Sequence, residues 1–358
     1  MIEFSKESFP DTRCFIIFDQ IYLRHRTGNH PEHPQRLIWI KKALEESDIA
    51  FKLDWMTPRK ADETEICRVH DKQYVELVRT ACEKAGDGYL RLDIDTVVCN
   101  ESYDVALYAV GGVELAIDLA LGIGSASSFA LVRPPGHHAM PNRSMGFCIF
   151  NNEAIGCLYA LERNNLKRIL ILDWDLHHGN GLQEVFYNDK RVLYVSLHQT
   201  YHFPGTGYAD EVGGEGAEGY NLNFPLPAGC GDSEYAYCLT EIVGPITMAF
   251  KPELIVVVAG FDAHCDDPLG LMRVTSGEFG RFSYYTRCLA RETGARVVNI
   301  LAGGYDLDAV GESIVEAVRS LVIDEPDDLF LPTPFKVNDY VIRLVDEQRE
   351  RFREYWPI

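Results

Sequence analysis

Short apolar runs and amphipathic segments alternate along this chain of 358 residues. The apolar runs are brief and rich in β-branched residues, which is typical of strands buried on both faces of a parallel sheet. They are residues 15–19, 128–132, 169–172, 192–197, 254–259 and 296–301. Apolar residues three or four positions apart predict helices between most of these runs. The helices begin at about residue 34 and, behind an asparagine cap, at about residue 152, and otherwise cover residues 71–84, 102–121, 182–187, 232–250, 276–293 and 339–355.

The alternation of strands and helices predicts an α/β fold with a doubly wound, mostly parallel sheet flanked by helices. We expect a single domain over residues 1–358, with a core of about residues 15–325, because no linker or charge block divides the chain. The strongly charged helix at about residues 339–355 is interpreted as solvated, with a subunit contact in a homo-oligomer as the alternative.

Composition and charge narrow the classes of partner. Hydrophobic residues make up 46% of the chain, enough for a large core, and no uninterrupted run of 18 apolar residues predicts a membrane span. The 34 basic and 54 acidic residues give a formal charge of −20, which argues against nucleic-acid or anionic-membrane partners. A cationic substrate would be attracted. The acidity has a second open interpretation, solubility or a salty habitat.

Neither the cysteines nor the start of the chain predicts secretion. The 10 cysteines are scattered without a C-x-x-C pair, and we interpret them as reduced core residues of a cytosolic protein. The first residues, M-I-E-F-S-K-E-S-F-P-D, lack the basic and apolar regions of a signal peptide. We therefore expect a cytoplasmic protein.

Candidate chemistry lies where the apolar runs end. In the stretch R-I-L-I-L-D-W-D-L-H-H-G-N-G, a predicted strand breaks into carboxylates and imidazoles. Three other runs end in R-P-P-G-H-H-A, G-F-D-A-H and A-G-G-Y-D, which place His137 with His138, Asp262 with His264, and Tyr305 at strand ends. Because ligands bind outside the carboxyl ends of parallel strands, we expect these clusters to meet at one edge of the sheet.

One set of residues has the spacing of metal ligands. Asp175 and His177 lie two positions apart, so in an extended segment their side chains point the same way. With Asp262 they offer two carboxylates and one imidazole, a donor set that suits zinc and leaves a fourth position open for water. The three histidines of the loop H-R-T-G-N-H-P-E-H lack such spacing and are interpreted as satisfied loop residues.

The remaining groups predict amide hydrolysis. His137 and His138 can act as general base and general acid, and Asp173 and Asn180 can each accept a hydrogen bond from one of them. A carboxylate makes its histidine more basic than an amide does, so the two rings can hold different protonation states. Tyr305, behind two glycines, can donate its hydroxyl to a developing oxyanion.

The motifs R-P-P-G-H-H-A, G-F-C-I-F-N-N, D-W-D-L-H-H-G-N-G, F-P-G-T-G, G-F-D-A-H and G-G-Y occur in this order along the chain. Together they resemble the zinc-dependent histone deacetylase family, which has the arginase–deacetylase fold. The resemblance covers about residues 19–322. Asn180 makes it closer to the class II branch, with its bacterial deacetylase-like and acetylpolyamine amidohydrolases, than to the class I branch.

The resemblance implies a role for each site residue. It makes His137 and His138 the tandem histidines, Tyr305 the oxyanion tyrosine, and Asp175, His177 and Asp262 the ligands of zinc or, in vivo, of iron(II). A structural potassium ion would bind near Asp173, Ser196 and Leu197 and the main chain of Asp175 and His177. Gly146, Phe147, Phe203, Leu269 and Gly304 would bind the substrate in a tunnel, and Arg36 would lie near an acetate exit.

The implied substrate is the acylated lysine side chain of a peptide or protein, or a small acetylated amine. The family often has a rim aspartate that grips the substrate backbone, whereas this chain offers Asn100 or the nearby Asp95 with no clear equivalent. A polyamine-selective relative has a glutamate where Leu269 stands here, and an apolar gate gives a polyamine cation no partner. We expect an acyl-lysine deacetylase, with an acetylpolyamine or small-amide deacetylase as the alternative.

Two other functions fit the motifs less well. An arginase-like hydrolase with two manganese ions would need more bridging carboxylates than one Asp-His-Asp set. A non-catalytic, metal-bound scaffold would be expected to have lost Tyr305 or one of the tandem histidines, and the sequence retains all three.

Overall fold

Parallel strands form a central sheet in the structure, a computed structural model that describes residues 13–122, 127–323 and 336–358. The strands of this sheet are β1 (Cys14–Ile17), β2 (Leu53–Met56), β5 (Ser127–Ala130), β6 (Ile169–Asp173), β7 (Val192–Gln199), β8 (Asn221–Leu226), β9 (Leu254–Ala259) and β10 (Arg296–Leu301). Their spatial order is β2-β1-β5-β10-β9-β6-β7-β8, and every pairing between them is parallel. The predicted α/β fold with a parallel sheet is confirmed. The first residues, which predicted no secretion signal, and residues 324–325 of the expected core lie outside the described ranges.

Helices cover the sheet in two packed groups. They are α1 (Gln35–Glu46), α2 (Glu63–Ile66), α3 (Lys72–Ala85), α4 (Ser102–Gly122), α5 (Asn152–Arg163), α6 (Asn180–Phe186), α7 (Asp232–Cys238), α8 (Gly244–Phe250), α9 (Ser276–Thr293), α10 (Leu307–Val322) and α11 (Asp339–Phe352). In one group α4 packs against α5, and in the other α10 packs against α1 and α9. A π-helical turn joins α7 to α8, so the helix predicted over residues 232–250 is continuous but locally widened.

Sequence patterns missed β2, β8 and α10. The two strands lie at the edges of the sheet, and β8 reads N-L-N-F-P-L, so its asparagines and proline hide the apolar run of a buried strand. Residues 86–100, for which the sequence predicts a loop between two helices, contain a small antiparallel hairpin, β3 (Leu90–Arg91) with β4 (Val97–Val98). This hairpin reaches the candidate site.

The interpretation of the C-terminal helix as solvated is wrong. One face of α11 is buried through Val341, Leu344, Val345 and Phe352. The helix contacts β8, α7 and the π-helical turn, so it covers the edge of the sheet that ends in β8. Its charged residues occupy the other face, which is why the segment looked solvated in the sequence.

Among the described residues, α4 is the one helix that is long and apolar enough to cross a membrane by length and composition. Uninterrupted apolar runs did not reveal it, because Asp104, Glu114 and Asp118 interrupt the helix. In the structure α4 packs against α5, β1, β5 and β10, and 67% of its most apolar window is buried. Gly111 and Gly112 let two neighbouring segments approach α4 closely, because a Cβ atom there would lie 2.1 Å from Arg59 O and 2.4 Å from the Tyr22 hydroxyl.

The cysteines are free thiols, in agreement with the sequence interpretation. All 10 lie within the described ranges, and most are buried in the core. Cys265 is the exposed exception, on the loop that follows Asp262.

Candidate functional site

The candidate site lies at the carboxyl ends of four adjacent central strands, β5, β10, β9 and β6. The loop after β5 carries His137 and His138, and the loop after β10 carries Tyr305. Asp262 follows β9, and Asp173 is the last residue of β6. Since neighbouring parallel strands end at the same edge, the topology brings together the clusters that the sequence spread over the chain.

Asp175, His177 and Asp262 form a buried cluster that could hold a metal ion. One ligand atom from each lies within 4.8 Å of the others. The Nδ1 atom of His177 is 3.1 Å from Asp175 Oδ1 and 3.0 Å from Asp262 Oδ2. Two carboxylates and an imidazole aimed at one point match the donor set of a zinc site with three protein ligands.

Backbone groups fix the two carboxylates. Gly303 N donates to Asp175 Oδ2 at 2.8 Å, and Leu176 N donates to Asp262 Oδ1 at 2.9 Å. A Cβ atom on Gly303 would lie 2.1 Å from Asp262 Oδ2, so only glycine permits this approach. The first glycine of G-G-Y therefore shapes the cluster, a role that the sequence did not reveal.

The pKa values of this cluster reflect its surplus of negative charge. Burial opposes protonation of His177, but its hydrogen bonds to Asp175 and Asp262 outweigh burial and raise its pKa to about 10. Burial raises the pKa of Asp262, and the neighbouring charge of Asp175 adds to it. The arrangement favours a cation between the carboxylates, as a metal site requires.

The tandem histidines have the two different partners that the sequence suggested. His137 Nδ1 lies 3.1 Å from Asp173 Oδ2, and His138 Nδ1 lies 2.8 Å from Asn180 Oδ1. Asn180 Nδ2 donates to His138 O at 3.3 Å, which turns its oxygen towards the ring of His138. Each Nδ1 therefore carries a proton towards an oxygen, and Nε2 is left as the exchanging atom.

The pKa values of the two rings move in opposite directions. Burial lowers the pKa of His137, but the charges of Asp175 and Asp173 outweigh burial and raise it to about 9. Burial and the neighbouring charges of His137 and His177 hold the pKa of His138 well below its usual value. One ring is therefore cationic and the other neutral near pH 7, although their centres are only 4.0 Å apart.

Asp173 has a further partner that sequence reasoning missed. The hydroxyl of Tyr194 donates to Asp173 Oδ2 at 3.1 Å. Tyr194 lies on β7, and Asp173 pairs with Ser196 in the register of β6 and β7. The expected potassium residues Ser196 and Leu197 are thus beside Asp173, and Ser196 Oγ is 2.9 Å from His198 Nδ1.

Tyr305 is held from both sides of its loop. Asp267 Oδ2 accepts from Tyr305 N at 2.7 Å, and Gly304 before it has a φ of +116°, which suits glycine. Arg36 lies under the Tyr305 ring, with its guanidinium carbon 4.8 Å from the ring centre. Burial raises the pKa of Tyr305 well above its usual value, so the phenol keeps its proton.

Aromatic rings lie beside His138 and Tyr305. The ring of Phe203 is 5.1 Å from that of His138, and the ring of Phe147 is 5.7 Å from that of Tyr305. A Cβ atom on Gly146 would lie 2.4 Å from His138 Cδ2 and 2.9 Å from Phe203 Cε1. Gly146 therefore leaves space that a larger residue would fill.

Leu269 and His264 lie on the Asp262 loop, as the sequence predicts. Leu269 is half-buried on the Asp262 loop, where its N–H donates to Asp267 Oδ1 at 2.9 Å. His264 does not join the Asp262 cluster, because its Nε2 lies 3.1 Å from Ser276 Oγ. Its Nδ1 accepts a hydrogen bond from Asp266 N, so the ring stabilises the loop that carries it.

The segment L-D-I-D-T (residues 92–96), whose acidic composition predicts a surface loop, contacts residues of the site. Asp95 Oδ1 accepts from Gly146 N at 3.2 Å, and Asp93 accepts from the Ser144 hydroxyl. His30 lies 4.5 Å from Phe147, ring centre to ring centre, and its Nε2 is 3.0 Å from Asp95 O. Contacts between segments so distant in the chain leave no local signal in a sequence.

Glu153 is a second group that the sequence did not single out. Its side chain is completely buried, and neither carboxylate oxygen has a hydrogen-bond partner among the described residues. A Cβ atom on Gly136, which precedes His137, would lie 2.2 Å from Glu153 Oε2. Burial raises the pKa of Glu153 to about 7.

Comparison with known proteins finds a family, sequence relatives and a solved structure that match most of this chain. The family described as histone deacetylase domain matches residues 30–321. A probable deacetylase of Archaeoglobus fulgidus is 38% identical over 297 residues, which cover 82% of this chain and 81% of that protein. Histone deacetylase 6 of Caenorhabditis elegans is 37% identical over 363 residues, which cover 95% of this chain but 37% of that protein. The crystal structure of the HDA15 HD domain superposes with a TM-score of 0.87 at 34% identity, covering 97% of this chain and 96% of that one.

Proposed function

The chain belongs to the histone deacetylase family, and we propose that it is a zinc-dependent amidohydrolase that removes the acyl group of acyl-lysine. The observation that carries the proposal is the convergence of Asp175, His177 and Asp262 next to tandem histidines with opposite pKa shifts. A metal-binding set, a base, an acid and an oxyanion donor are the parts that amide hydrolysis needs.

Asp175, His177 and Asp262 would hold the zinc, or iron(II) in vivo, since their atoms already converge. Zinc bound there would polarise the amide carbonyl and lower the pKa of a water molecule. A structural potassium ion near Asp173, Ser196 and Leu197 remains a prediction, supported by the pairing of Asp173 with Ser196.

The histidines move the protons. Neutral His138 can take a proton from the attacking water at Nε2 as the water oxygen bonds to the carbonyl carbon. His137, held cationic beside Asp173, can give a proton at Nε2 to the leaving nitrogen as the C–N bond breaks. The Tyr305 hydroxyl donates to the oxygen that becomes negative, and its raised pKa keeps it a donor. The products are a carboxylic acid and a free amine.

The lining of the site supports a neutral stem as the substrate. Gly146 and Phe203 offer apolar surface beside His138, and Phe147 offers it beside Tyr305. Leu269 provides no charge on the Asp262 loop. An alkyl chain would lose little on entering, whereas a second ammonium would be desolvated without a partner. An acetylpolyamine or another small amide is the second candidate, because the formal charge of −20 would attract a polycation.

The test is kcat/KM of the zinc-loaded protein on an acetyl-lysine peptide and on N-acetylputrescine, side by side. We expect the peptide to give the higher value. Tyr305→Phe should lower kcat about 100-fold to 1,000-fold on either substrate, because it removes one oxyanion donor. A higher value for the polyamine would mean that the acidic surface rather than Leu269 sets specificity. Turnover that does not depend on Tyr305 would contradict the mechanism, and no turnover on either substrate would favour another small amide or a non-catalytic, metal-bound scaffold.

The single-domain organisation, the cytoplasmic location and a homo-oligomeric state remain predictions. One shared sheet from β2 to β8 supports the first of them.

A further inference from the structure

The long loop of residues 201–220 carries Phe203 to the site but has little regular structure of its own. These residues form no helix or strand, although all of them are described. Gly205 and Gly207, which follow Phe203, have φ angles of +79° and +85°. Glycines lose the most conformational freedom on folding, so this stretch needs contacts from outside to stay in one conformation.

An inner anchor joins the loop to buried histidines. His198 Nε2 is 3.0 Å from Gly207 O, and Thr206 Oγ1 is 2.8 Å from His178 Nδ1. A Cβ atom on Gly207 would lie 2.6 Å from both rings, so the backbone packs directly on them. This anchor holds the side of the loop that faces the sheet.

An outer anchor comes from α11. Ala209 O accepts from Gln348 Nε2 at 2.8 Å and from Arg351 Nη1 at 2.9 Å. Gln348 is completely buried, and its Nε2 also donates to Asn223 O at 2.8 Å while its Oε1 accepts from Arg351 at 2.7 Å. Every polar atom of the Gln348 side chain is used, so the amide has one orientation.

From these contacts we propose that Gln348 and Arg351 are positioning residues for the loop that carries Phe203 to the site. By holding Ala209 O, they fix the short stretch that keeps Phe203 against His138. They touch no substrate, and the proposal rests on the proposed deacetylase function for its catalytic consequence. It gives the buried face of α11 a role in substrate binding as well as in packing.

The variants Arg351→Met and Gln348→Met remove the anchor, and Arg349→Met is the matched control. Arg349 lies on the same helix, but its Nη2 donates to Glu241 in the π-helical turn and not to the loop. Arg351 is only half-buried, so Arg351→Met is expected to fold even if Gln348→Met does not.

The first readout is hydrogen exchange of the loop amides in the full-length protein without substrate. The amides of Gly205, Tyr208 and Glu211 are hydrogen-bonded and report the order of the loop. We expect them to exchange about tenfold faster in Arg351→Met and Gln348→Met than in the wild type, and at the wild-type rate in Arg349→Met. Unchanged exchange in both loop variants, or an equal increase in Arg349→Met, would overturn the proposal.

The second readout is the division of the effect between KM and kcat on the acetyl-lysine peptide. A displaced Phe203 should raise KM about threefold to tenfold while kcat stays within about twofold, because the proton-transfer groups do not move. Arg351→Lys should recover part of the loss, since an ammonium can still donate to Ala209 O. A fall in kcat with KM unchanged would contradict a role in positioning. A wild type inactive on every acylated amine would count against the proposed function, whereas the exchange experiment would still test the anchor.

Discussion

The carboxylate cluster (Asp173, Asp175, Asp262) and the arginine cluster (Glu32, Arg36, Arg133) are both almost completely buried, yet they balance their charges in opposite ways. In the arginine cluster, Arg133 makes two hydrogen bonds to the carboxylate of Glu32, and Arg36 makes a third. The guanidinium groups cannot give up their protons, and Arg133 lowers the pKa of Glu32 to about 2 in spite of burial. Its charges are therefore permanent.

In the carboxylate cluster, the cations among the described residues are imidazolium groups. Their protons can be exchanged with a substrate or displaced by a metal ion, so the balance depends on what is bound. The difference indicates two roles for buried charge. Charges that are permanently paired stabilise the fold, whereas charges balanced by exchangeable cations can take part in catalysis. Arg36 links the two clusters, because it also donates to Ala302 O and Gly304 O, on either side of Gly303, whose N–H donates to Asp175 Oδ2.

The largest expected effect is that of Asp262→Asn in the carboxylate cluster. Loss of one carboxylate from the metal-ligand set should lower kcat/KM at least about 1,000-fold, while the free energy of unfolding of the metal-free protein changes little. The matched control is Asp266→Asn on the same loop, whose exposed side chain lies outside the cluster. Activity assays, zinc content and urea unfolding would check this, and near-normal turnover of Asp262→Asn would remove the distinction between the clusters.

Arg133→Met should have the opposite profile. It leaves Glu32 buried without its main partner, so we expect the free energy of unfolding to fall by roughly 3–5 kcal/mol. Adding Glu32→Met should recover part of this loss, because the unpaired charge is then gone. Urea unfolding of both variants is the measurement, and a cost below about 1 kcal/mol for the single variant would mean that the arginine cluster is not structural.

Removal of the metal should distinguish the two clusters by a smaller change in the free energy of unfolding. Zinc at about 100 to 1,000 times its dissociation constant should raise the free energy of unfolding by about 3–4 kcal/mol over the chelated protein. Arg133→Met should retain this increment, and Asp262→Asn should lose it. Thermal unfolding with and without zinc provides the comparison, and equal stabilisation of both variants would contradict it.

The smallest expected effect is that of Glu153→Gln. Glu153 extends the comparison of the two clusters, because neither a guanidinium nor an imidazolium group among the described residues is hydrogen-bonded to its buried carboxyl group. Its folded-state pKa of about 7 lies above the usual value of 4.5, so the wild type is most favoured at acidic pH and loses stability as pH rises to about 7. We expect Glu153→Gln to gain roughly 2–3 kcal/mol over the wild type between pH 4 and pH 8. Urea unfolding of metal-free protein across this range tests it, and a constant difference would mean that Glu153 does not titrate there.

The interior of the fold was predictable because apolar runs mark strands that are buried on both faces. β9 and α9 have the predicted bounds, and the chemistry at the strand ends could be identified because each group directly follows such a run. That these groups meet depends on the strand order, which brings β5, β10, β9 and β6 together. The alternation of strands and helices indicated a common edge but not which strands would be neighbours.

Features that depend on contacts between distant segments could not be predicted. Asp95 accepts a hydrogen bond from Gly146, and Glu153 fills space beside Gly136. Neither pair has a characteristic spacing in the sequence. The edge strand β8 was missed because its polar residues serve the loop of residues 201–220: Asn223 Nδ2 donates to Tyr208 O. The buried face of α11 was missed because its charged residues outnumber its apolar ones.

The apolar helix α4 needs protection while the chain is being synthesised. Its partners include β1, which precedes it, but also α5, β5 and β10, and the last of these begins only at Arg296. During translation α4 therefore emerges long before the strand that completes its burial, as a helix apolar enough to cross a bilayer. A ribosome-bound chaperone that covers this segment would keep the nascent chain from aggregating or entering a membrane until β10 arrives.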